Sequence, residues 1–382
     1  MNGGGPELRI ALFTGNYNYI EDGVALTLNR LVDYLERQGI AVLVFAPTGP
    51  RPALAHKGEL VSVPSIPIPF RSEYRISLGL PAAARRRLKA FRPTLFHIAV
   101  PDILGYRALK LAKDWKVPVV ASYHTRYDTY LKHYGLSRLE GLGLRYLRSF
   151  YKQCRQVYPP SESMAAIIRA EGLARDVRVW SRGVDSGRFS PARRNLTWRR
   201  ARGLGDHEVA VSFVGRLVKE KNTEQLIRIF DRLASDGVAF RPMIVGDGPE
   251  MARMRSALPG AIFTGFLHGD ALAEAYASSD IFLFPSESET FGNVTLEAMA
   301  SGLPAICADA SGSRSLVVDG DTGFLIDPRR DADYVARAAE LTGDPDLRSA
   351  MGQRARAQAL SYSWDAIMAG LVANYREALA QV

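Results

Sequence analysis

Cysteine is scarce in this sequence: Cys154 and Cys307 are the only two in 382 residues, and they lie far apart with no metal-ligand spacing. That excludes a disulfide-stapled scaffold and a cysteine-based zinc module, and it suits two buried thiols in a reducing compartment. Long apolar runs are missing too. Nothing approaches the ~18 residues a membrane-spanning helix needs. The first apolar run, Ile10–Phe13, is shorter than a signal-peptide core and has no basic segment or cleavage site beside it, so no signal peptide is expected. There is no low-complexity stretch and no repeat at solenoid or propeller period. The dinucleotide fingerprint G-x-G-x-x-G is also missing.

What remains is a globular composition, 47% hydrophobic and 23% charged, with enough apolar material for two cores. The length predicts two domains. The net charge of +9 is unevenly placed: residues 1–190 carry 28 Lys/Arg against 15 Asp/Glu, a balance of +13, and the rest carries 21 against 25, a balance of −4. A basic half facing a mildly acidic one points to an anionic partner for the first domain: a membrane surface, a phosphorylated ligand or nucleic acid.

Strand-length apolar runs recur along the whole chain. One series is Ile10–Phe13, Val42–Phe45, Leu95–Ile98, Val117–Ser122 and Gln156–Tyr158; another is Val209–Val214, Met243–Val245, Ala261–Thr264, Ile281–Phe284, Ala305–Cys307 and Gly323–Ile326. Helix-period segments such as Val24–Gln38, Asn222–Ser235, Leu272–Ala277 and Asp331–Leu341 separate them. This alternation predicts an α/β fold of two doubly wound parallel sheets. The predicted division is an N-terminal domain over residues 1–190 and a C-terminal domain over 191–360, with a last helix in 361–382 packing back on the first. In such folds ligands sit beyond the carboxyl ends of the strands, and the cleft between the domains is the expected site.

Four places carry chemistry. Gly215-Arg216-Leu217-Val218-Lys219-Glu220-Lys221-Asn222 follows a strand and opens a helix. A glycine turn, long cations and helix N–H groups suit a diphosphate; a solvated Lys-rich loop capped by Asn222 would read the same. Glu289-Thr290-Phe291-Gly292-Asn293-Val294-Thr295-Leu296-Glu297 follows another strand. There Glu289 can bond sugar hydroxyls, the helix start can hold phosphate oxygens, and Glu297 can accept from ribose hydroxyls; paired glutamates on a solvated face are the plain alternative. His124 ends a strand in the first domain, where it is either a ligand contact or a structural histidine. Gly23, after Asp22, can let a ligand approach the first helix, or can simply turn the chain. Asp319-Gly320-Asp321 has a metal-binding look but the position of a turn. Gly246-Asp247-Gly248-Pro249 either lines a nucleotide pocket or makes a tight turn.

In combination, Gly215–Asn222, Gly246–Pro249 and Glu289–Glu297 followed by Ala298-Met299-Ala300-Ser301-Gly302-Leu303-Pro304 resemble the retaining GT-B glycosyltransferase family four. Asp22-Gly23-Val24, Ser122-Tyr123-His124-Thr125 and Trp180-Ser181-Arg182-Gly183-Val184-Asp185 look like its GDP-mannose-dependent α-mannosyltransferases and sulfoquinovosyl-diacylglycerol synthases. Where many members carry two adjacent glycines at the first turn, this chain has Asp22-Gly23.

The resemblance implies two Rossmann-like domains and a set of roles. Arg216 and Lys221 neutralise the leaving diphosphate, and Glu289 bonds the donor sugar. Gly215, Gly246 and the backbone of Phe291, Gly292, Asn293 and Val294 line the donor site, Glu297 holds the ribose, Gly23 lies under the phosphates, and His124 contacts the sugar near the reacting carbon. It also implies transfer of a hexose from GDP-mannose or a UDP-sugar, retention of configuration, no metal, and no cofactor beyond the nucleotide diphosphate sugar as co-substrate. Arg85, Arg86, Arg87, Lys89 and Arg92, and the interleaved cations and apolar residues of Leu131–Arg155, lead us to expect a peripheral enzyme on the inner face of the cytoplasmic membrane with a diacylglycerol- or ceramide-type acceptor. The alternatives are a soluble sugar or polysaccharide acceptor, and a nucleotide-sugar 2-epimerase. No nucleic-acid module is recognisable, and no nucleic-acid partner is expected.

Overall fold

The computed structural model describes residues 7–68, 71–124 and 140–380. The cations Lys132 and Arg138 of the basic stretch, together with Thr125 and residues 381–382, lie outside the described residues. The chain divides into two units, residues 1–181 with 365–382, and residues 182–364.

In the first unit the strands are β1 (Arg9–Phe13), β2 (Ala41–Pro47), β3 (Glu59–Val63), β4 (Ser65–Ile68), β5 (Arg71–Ser77), β6 (Leu95–Ile98), β7 (Val119–Ser122) and β8 (Gln156–Tyr158). Its helices are α1 (Gly23–Arg37), α2 (Ala82–Phe91), α3 (Ile103–Trp115), α4 (Glu140–Tyr151) and α5 (Glu162–Ala170). The six-stranded sheet runs β3-β2-β1-β6-β7-β8, and β4 and β5 form a separate antiparallel hairpin. β1, β6, β7 and β8 are buried almost end to end, as parallel strands covered on both faces must be.

The second unit repeats the plan. Its strands are β9 (Ala210–Val214), β10 (Arg241–Val245), β11 (Ile262–Gly265), β12 (Ile281–Phe284), β13 (Ala305–Ala308) and β14 (Gly323–Ile326). They run in the order β11-β10-β9-β12-β13-β14. Around them lie α6 (Leu196–Arg200), α7 (Thr223–Ser235), α8 (Met251–Ala257), α9 (Gly269–Ala277), α10 (Asn293–Ala300), α11 (Asp331–Gly343) and α12 (Pro345–Ala359). Both sheets therefore have the strand order of a dinucleotide-binding fold, with a reversal between β1 and β6 and between β9 and β12.

The division falls nine residues before the expected 190/191 position. Val184 pairs with Ser363, its N–H donates to the Tyr362 carbonyl at 3.0 Å, and Phe189 joins the second core, so residues 182–190 pack with the second unit. The last helix, α13 (Trp364–Ala380), packs almost wholly with the first unit. Arg155 donates to the Ala378 carbonyl at 3.0 Å and Arg178 to Asn374 at 2.9 Å.

One contact ties this helix to the sheet interior. His97 on β6 is fully buried, with Nδ1 2.6 Å from the Tyr375 hydroxyl and Nε2 2.6 Å from Ser122 Oγ. Burial holds its pKa down to about 3, so the folded chain keeps it neutral. The unfolded chain takes up a proton near pH 6.5 and the folded one does not. Stability is thus fully present above that value and is lost as pH falls towards 3. Acidifying from pH 7 to 5 should cost ~2 kcal/mol through this group. His97→Gln, less stable at pH 7, should flatten the dependence of melting temperature on pH between 7 and 5; an unchanged slope would remove His97 as its source.

Cys154 and Cys307 are both buried, free thiols whose pKa burial pushes up to about 12. No helix among the described residues is long and apolar enough to cross a membrane.

Candidate active site

In the second unit the strand reversal brings together the loops after β9 and β12. The first, Gly215–Asn222, is laced to the loop after β10: the Gly215 N–H donates to the Val245 carbonyl at 3.0 Å, and the Leu217 N–H to the Asp247 carbonyl at 2.9 Å. That closeness requires glycine. At Gly246, with φ of +140°, an added Cβ would lie 1.9 Å from the Gly215 carbonyl oxygen. The visible task of Gly246 is thus to admit the neighbouring loop. Gly246→Ala should distort Gly215–Leu217 and lower the melting temperature together with nucleotide binding; normal values of both would show that the loop can yield.

Across the reversal, Asn222 Nδ2 donates to the Pro285 carbonyl at 2.8 Å, and Ser288 Oγ donates to the Glu220 carbonyl at 3.1 Å. Lys221 Nζ donates to Ser288 Oγ at 3.2 Å and forms an ion pair with Glu289 Oε1. These two residues are 68 positions apart in sequence. Glu289 offsets Lys221, whereas Arg216 and Lys219, both exposed, make no ion pair among the described residues.

Gly292 caps α10 in the left-handed region, φ +98°, where a side chain would be strained and its Cβ would sit 3.3 Å from Leu316. Gly292 brings no capping side chain, and among the described residues no side-chain acceptor is seen at the first-turn N–H groups of Asn293 and Val294. Phe291 is buried near Tyr362, ring centroids 6.1 Å apart, and has only its backbone to offer a ligand. One turn into the helix, Glu297 Oε2 lies 3.2 Å from the Tyr276 hydroxyl, which is also 3.1 Å from the Val294 carbonyl. Burial first, and Glu297 second, push the Tyr276 pKa well above its ordinary value, so it remains a phenol that can donate to Glu297.

Several supporting residues carry no signal in the sequence. Tyr276 is one. Gly312 is another: a Cβ there would lie 2.7 Å from the Glu289 Cβ, so glycine lets the Glu289 loop pass. Ser311 Oγ donates to the Glu289 carbonyl at 3.1 Å. Motif spacing cannot reveal such residues, because they lie on elements distant in sequence.

In the first unit, His124 is buried just after β7, its ring centroid 5.7 Å from that of Trp180, which stands 5.7 Å from His97. Trp180 belongs to the Trp180–Asp185 motif, but its position behind His124 needed the fold. Gly23 is exposed as the first residue of α1. Asp22 caps this helix, accepting from the Ala25 N–H at 2.8 Å and from Asn16 Nδ2 at 2.9 Å. A carboxylate thus occupies the start of α1. Asp319 accepts from the Leu325 N–H at 2.9 Å and Asp321 pairs with Arg354 at 2.7 Å, so both serve a turn.

Two dinucleotide-type sheets, with a cation–carboxylate cluster and an uncapped helix start at the strand reversal of the second, define the GT-B class of nucleotide-sugar glycosyltransferases. The chain belongs to glycosyltransferase family four: residues 22–188 match the family model Glycosyltransferase Family 4, and residues 195–358 match Glycosyl transferases group 1. It is 36% identical to the GDP-mannose-dependent alpha-mannosyltransferase of Mycobacterium tuberculosis over 96% of each chain. It is 33% identical to the sulfoquinovosyl transferase SQD2 of Arabidopsis thaliana over 94% of this chain and 71% of that one. Among solved structures, the sucrose-phosphate synthase of Thermosynechococcus elongatus superposes with a TM-score of 0.81 at 20% identity, over 98% of this chain and all of that one. The chain is a glycosyltransferase that uses a nucleotide sugar.

Proposed function

We propose that the chain transfers mannose from GDP-mannose, with retention of configuration and without a metal, to a membrane lipid of the diacylglycerol or ceramide type. The observation that carries the transfer reading is the Lys221–Glu289 pair beside the uncapped start of α10. A departing nucleoside diphosphate needs charge stabilisation where its negative charge grows. Arg216, Lys221 and the N–H groups at Asn293 and Val294 supply it, and once Lys221 turns to the phosphate, Glu289 is released to bond the sugar hydroxyls. Glu297, held by Tyr276, accepts from the ribose. His124, backed by Trp180, contacts the sugar near the anomeric carbon, and Gly23 lies under the phosphates. Similarity to the mannosyltransferase supports the donor; similarity to the alpha-monoglucosyldiacylglycerol synthase of Streptococcus pneumoniae, together with the basic first domain, supports the lipid.

Glu289→Ala should reduce turnover more than it reduces stability, since its pair with Lys221 is partly solvated and such pairs contribute about 1 kcal/mol or less. A large fall in melting temperature with normal turnover would make Glu289 structural. The test of the whole reading is mass spectrometry of lipids after incubation with several nucleotide sugars, membrane lipid and EDTA, with the product's anomeric configuration read by NMR. A glycolipid from one donor only, formed in EDTA, is expected. Nucleotide release without glycolipid would move the acceptor to a soluble sugar or polysaccharide precursor; an epimerised donor would make the chain a nucleotide-sugar 2-epimerase.

A further inference from the structure

The interior of the first unit holds a polar file that the donor-binding residues do not use. Tyr375 on α13, His97 on β6 and Ser122 at the end of β7 are all fully buried. The Tyr375 hydroxyl lies 2.6 Å from His97 Nδ1, and Ser122 Oγ lies 2.6 Å from His97 Nε2. A neutral imidazole carries one N–H and one bare nitrogen, so one hydroxyl donates to it and the other accepts from it. Each ring nitrogen therefore has its partner, and the ring cannot rotate without breaking both contacts. Apolar side chains of similar size would fill this space with no hydrogen bonds to satisfy. A buried polar file that is satisfied at every member fixes one geometry.

That geometry leads to His124. The Tyr123 N–H donates to the Tyr158 carbonyl at 3.0 Å, which carries the pairing with β8 one residue past the end of β7. Side chains two apart on an extended segment point to the same side, so Ser122 and His124 share a face. Trp180 covers that face, its ring centroid 5.7 Å from that of His97 and 5.7 Å from that of His124. Tyr158 packs against both ends of the first contact, with ring centroids 6.0 Å from His97 and 6.1 Å from Tyr375. All of these residues belong to the first unit. Two routes thus run from Tyr375 to His124. One passes through His97 and Ser122 along β7, the other through His97 and the Trp180 ring.

We infer that Tyr375 is a positioning residue: through His97 it holds Ser122 and Trp180, and so sets where the His124 imidazole stands. The inference rests on the proposed contact of His124 with the sugar. The helix that supplies Tyr375 lies 278 positions after His97 in sequence. The setting of His124 is therefore completed by the end of the chain. Rate is sensitive to such placement, since a shift of about 1 Å at a reacting group can cost about a hundredfold.

The experiment is a double-mutant cycle on the full chain. Steady-state release of nucleotide is measured with GDP-mannose and with UDP-glucose, total membrane lipid being the acceptor source, well below the melting temperature of each variant. Tyr375→Phe removes only a hydroxyl, and it should lower kcat about tenfold while KM for the donor changes less than about twofold. Ser122→Ala, which opens the other end of the file, should do the same, and it decides the matter should Tyr375→Phe not fold. In a His124→Ala background neither substitution should lower kcat further, because the residue they position is gone. A loss that a merely structural role produced would persist in that background, and such additivity would overturn the inference. Turnover of Tyr375→Phe and Ser122→Ala at the wild-type rate, with His124→Ala slow, would overturn it too and leave the proposed role of His124 standing. Wild-type turnover in His124→Ala itself would overturn both that role and the inference, as would a wild-type chain inactive with both donors.

Discussion

Lys221→Ala should lower turnover about 100- to 1,000-fold, the loss that follows removal of one preorganised group from a developing oxyanion. The charge that grows in the proposed reaction is on the diphosphate, and two side chains are available to meet it there. Arg216 is exposed and carries no compensating acid among the described residues; Lys221 is paired with Glu289. Removing Lys221 takes away a transition-state contact and also the anchor of Glu289, so kcat should fall more than KM rises. Stability should barely change. The Lys221 and Glu289 side chains are 19% and 25% exposed, so water can solvate the orphaned carboxylate, and the cost should stay near 1 kcal/mol or below. Steady-state release of nucleotide, with melting temperature in parallel, decides it. Turnover within about threefold of wild type, at unchanged stability, would take Lys221 out of the diphosphate site.

The second large effect is on folding. Arg199, on α6, has a fully buried side chain. Its guanidinium donates to the carbonyls of Ser278 at 2.6 Å, Gly205 at 2.8 Å and Glu208 at 2.5 Å, and to Asp280 Oδ2 at 3.1 Å. Asp280 also accepts from Arg194 at 2.8 Å and from the Ala210 N–H at 2.8 Å. One cation thus joins the segment leading into β9 to the start of β12, the two strands that flank the site. Arg199→Ala would strand several buried acceptors and leave Asp280 half satisfied, at a cost of ~3–5 kcal/mol. For a unit of this size that is a fall in melting temperature of roughly 10 °C. Arg199→Lys should recover little, because an ammonium cannot reproduce the planar fork. Calorimetry of the full chain tests this. A shift of under about 2 °C for the alanine variant would show that the network is dispensable.

Much of this protein was legible in its sequence because the signals are local. Strand-length apolar runs alternating with helical periods specify parallel sheets covered on both faces, and all six strands of the second sheet coincide with such runs. The runs Gly215–Asn222 and Glu289–Glu297 place cations, a carboxylate and a helix start at the ends of β9 and β12, which the strand pattern alone locates. The β3–β5 region carries no clear strand signal in the sequence. β3 alternates exposed and half-buried residues, and β4 and β5 pair with each other away from the main sheet, so no continuous apolar run marks them.

The sequence by itself determined the class of fold and which motifs stand at the strand ends. Only the tertiary structure decided which polar groups are buried and what satisfies them. Lys221 meets Glu289, Tyr276 meets Glu297, His97 meets Tyr375, and Arg199 meets Asp280 through contacts between residues 21 to 278 positions apart. The reason is physical. A buried charge or hydroxyl is tolerated only where a specific partner awaits it, and that partner comes from chain topology, which no local pattern of residue types encodes.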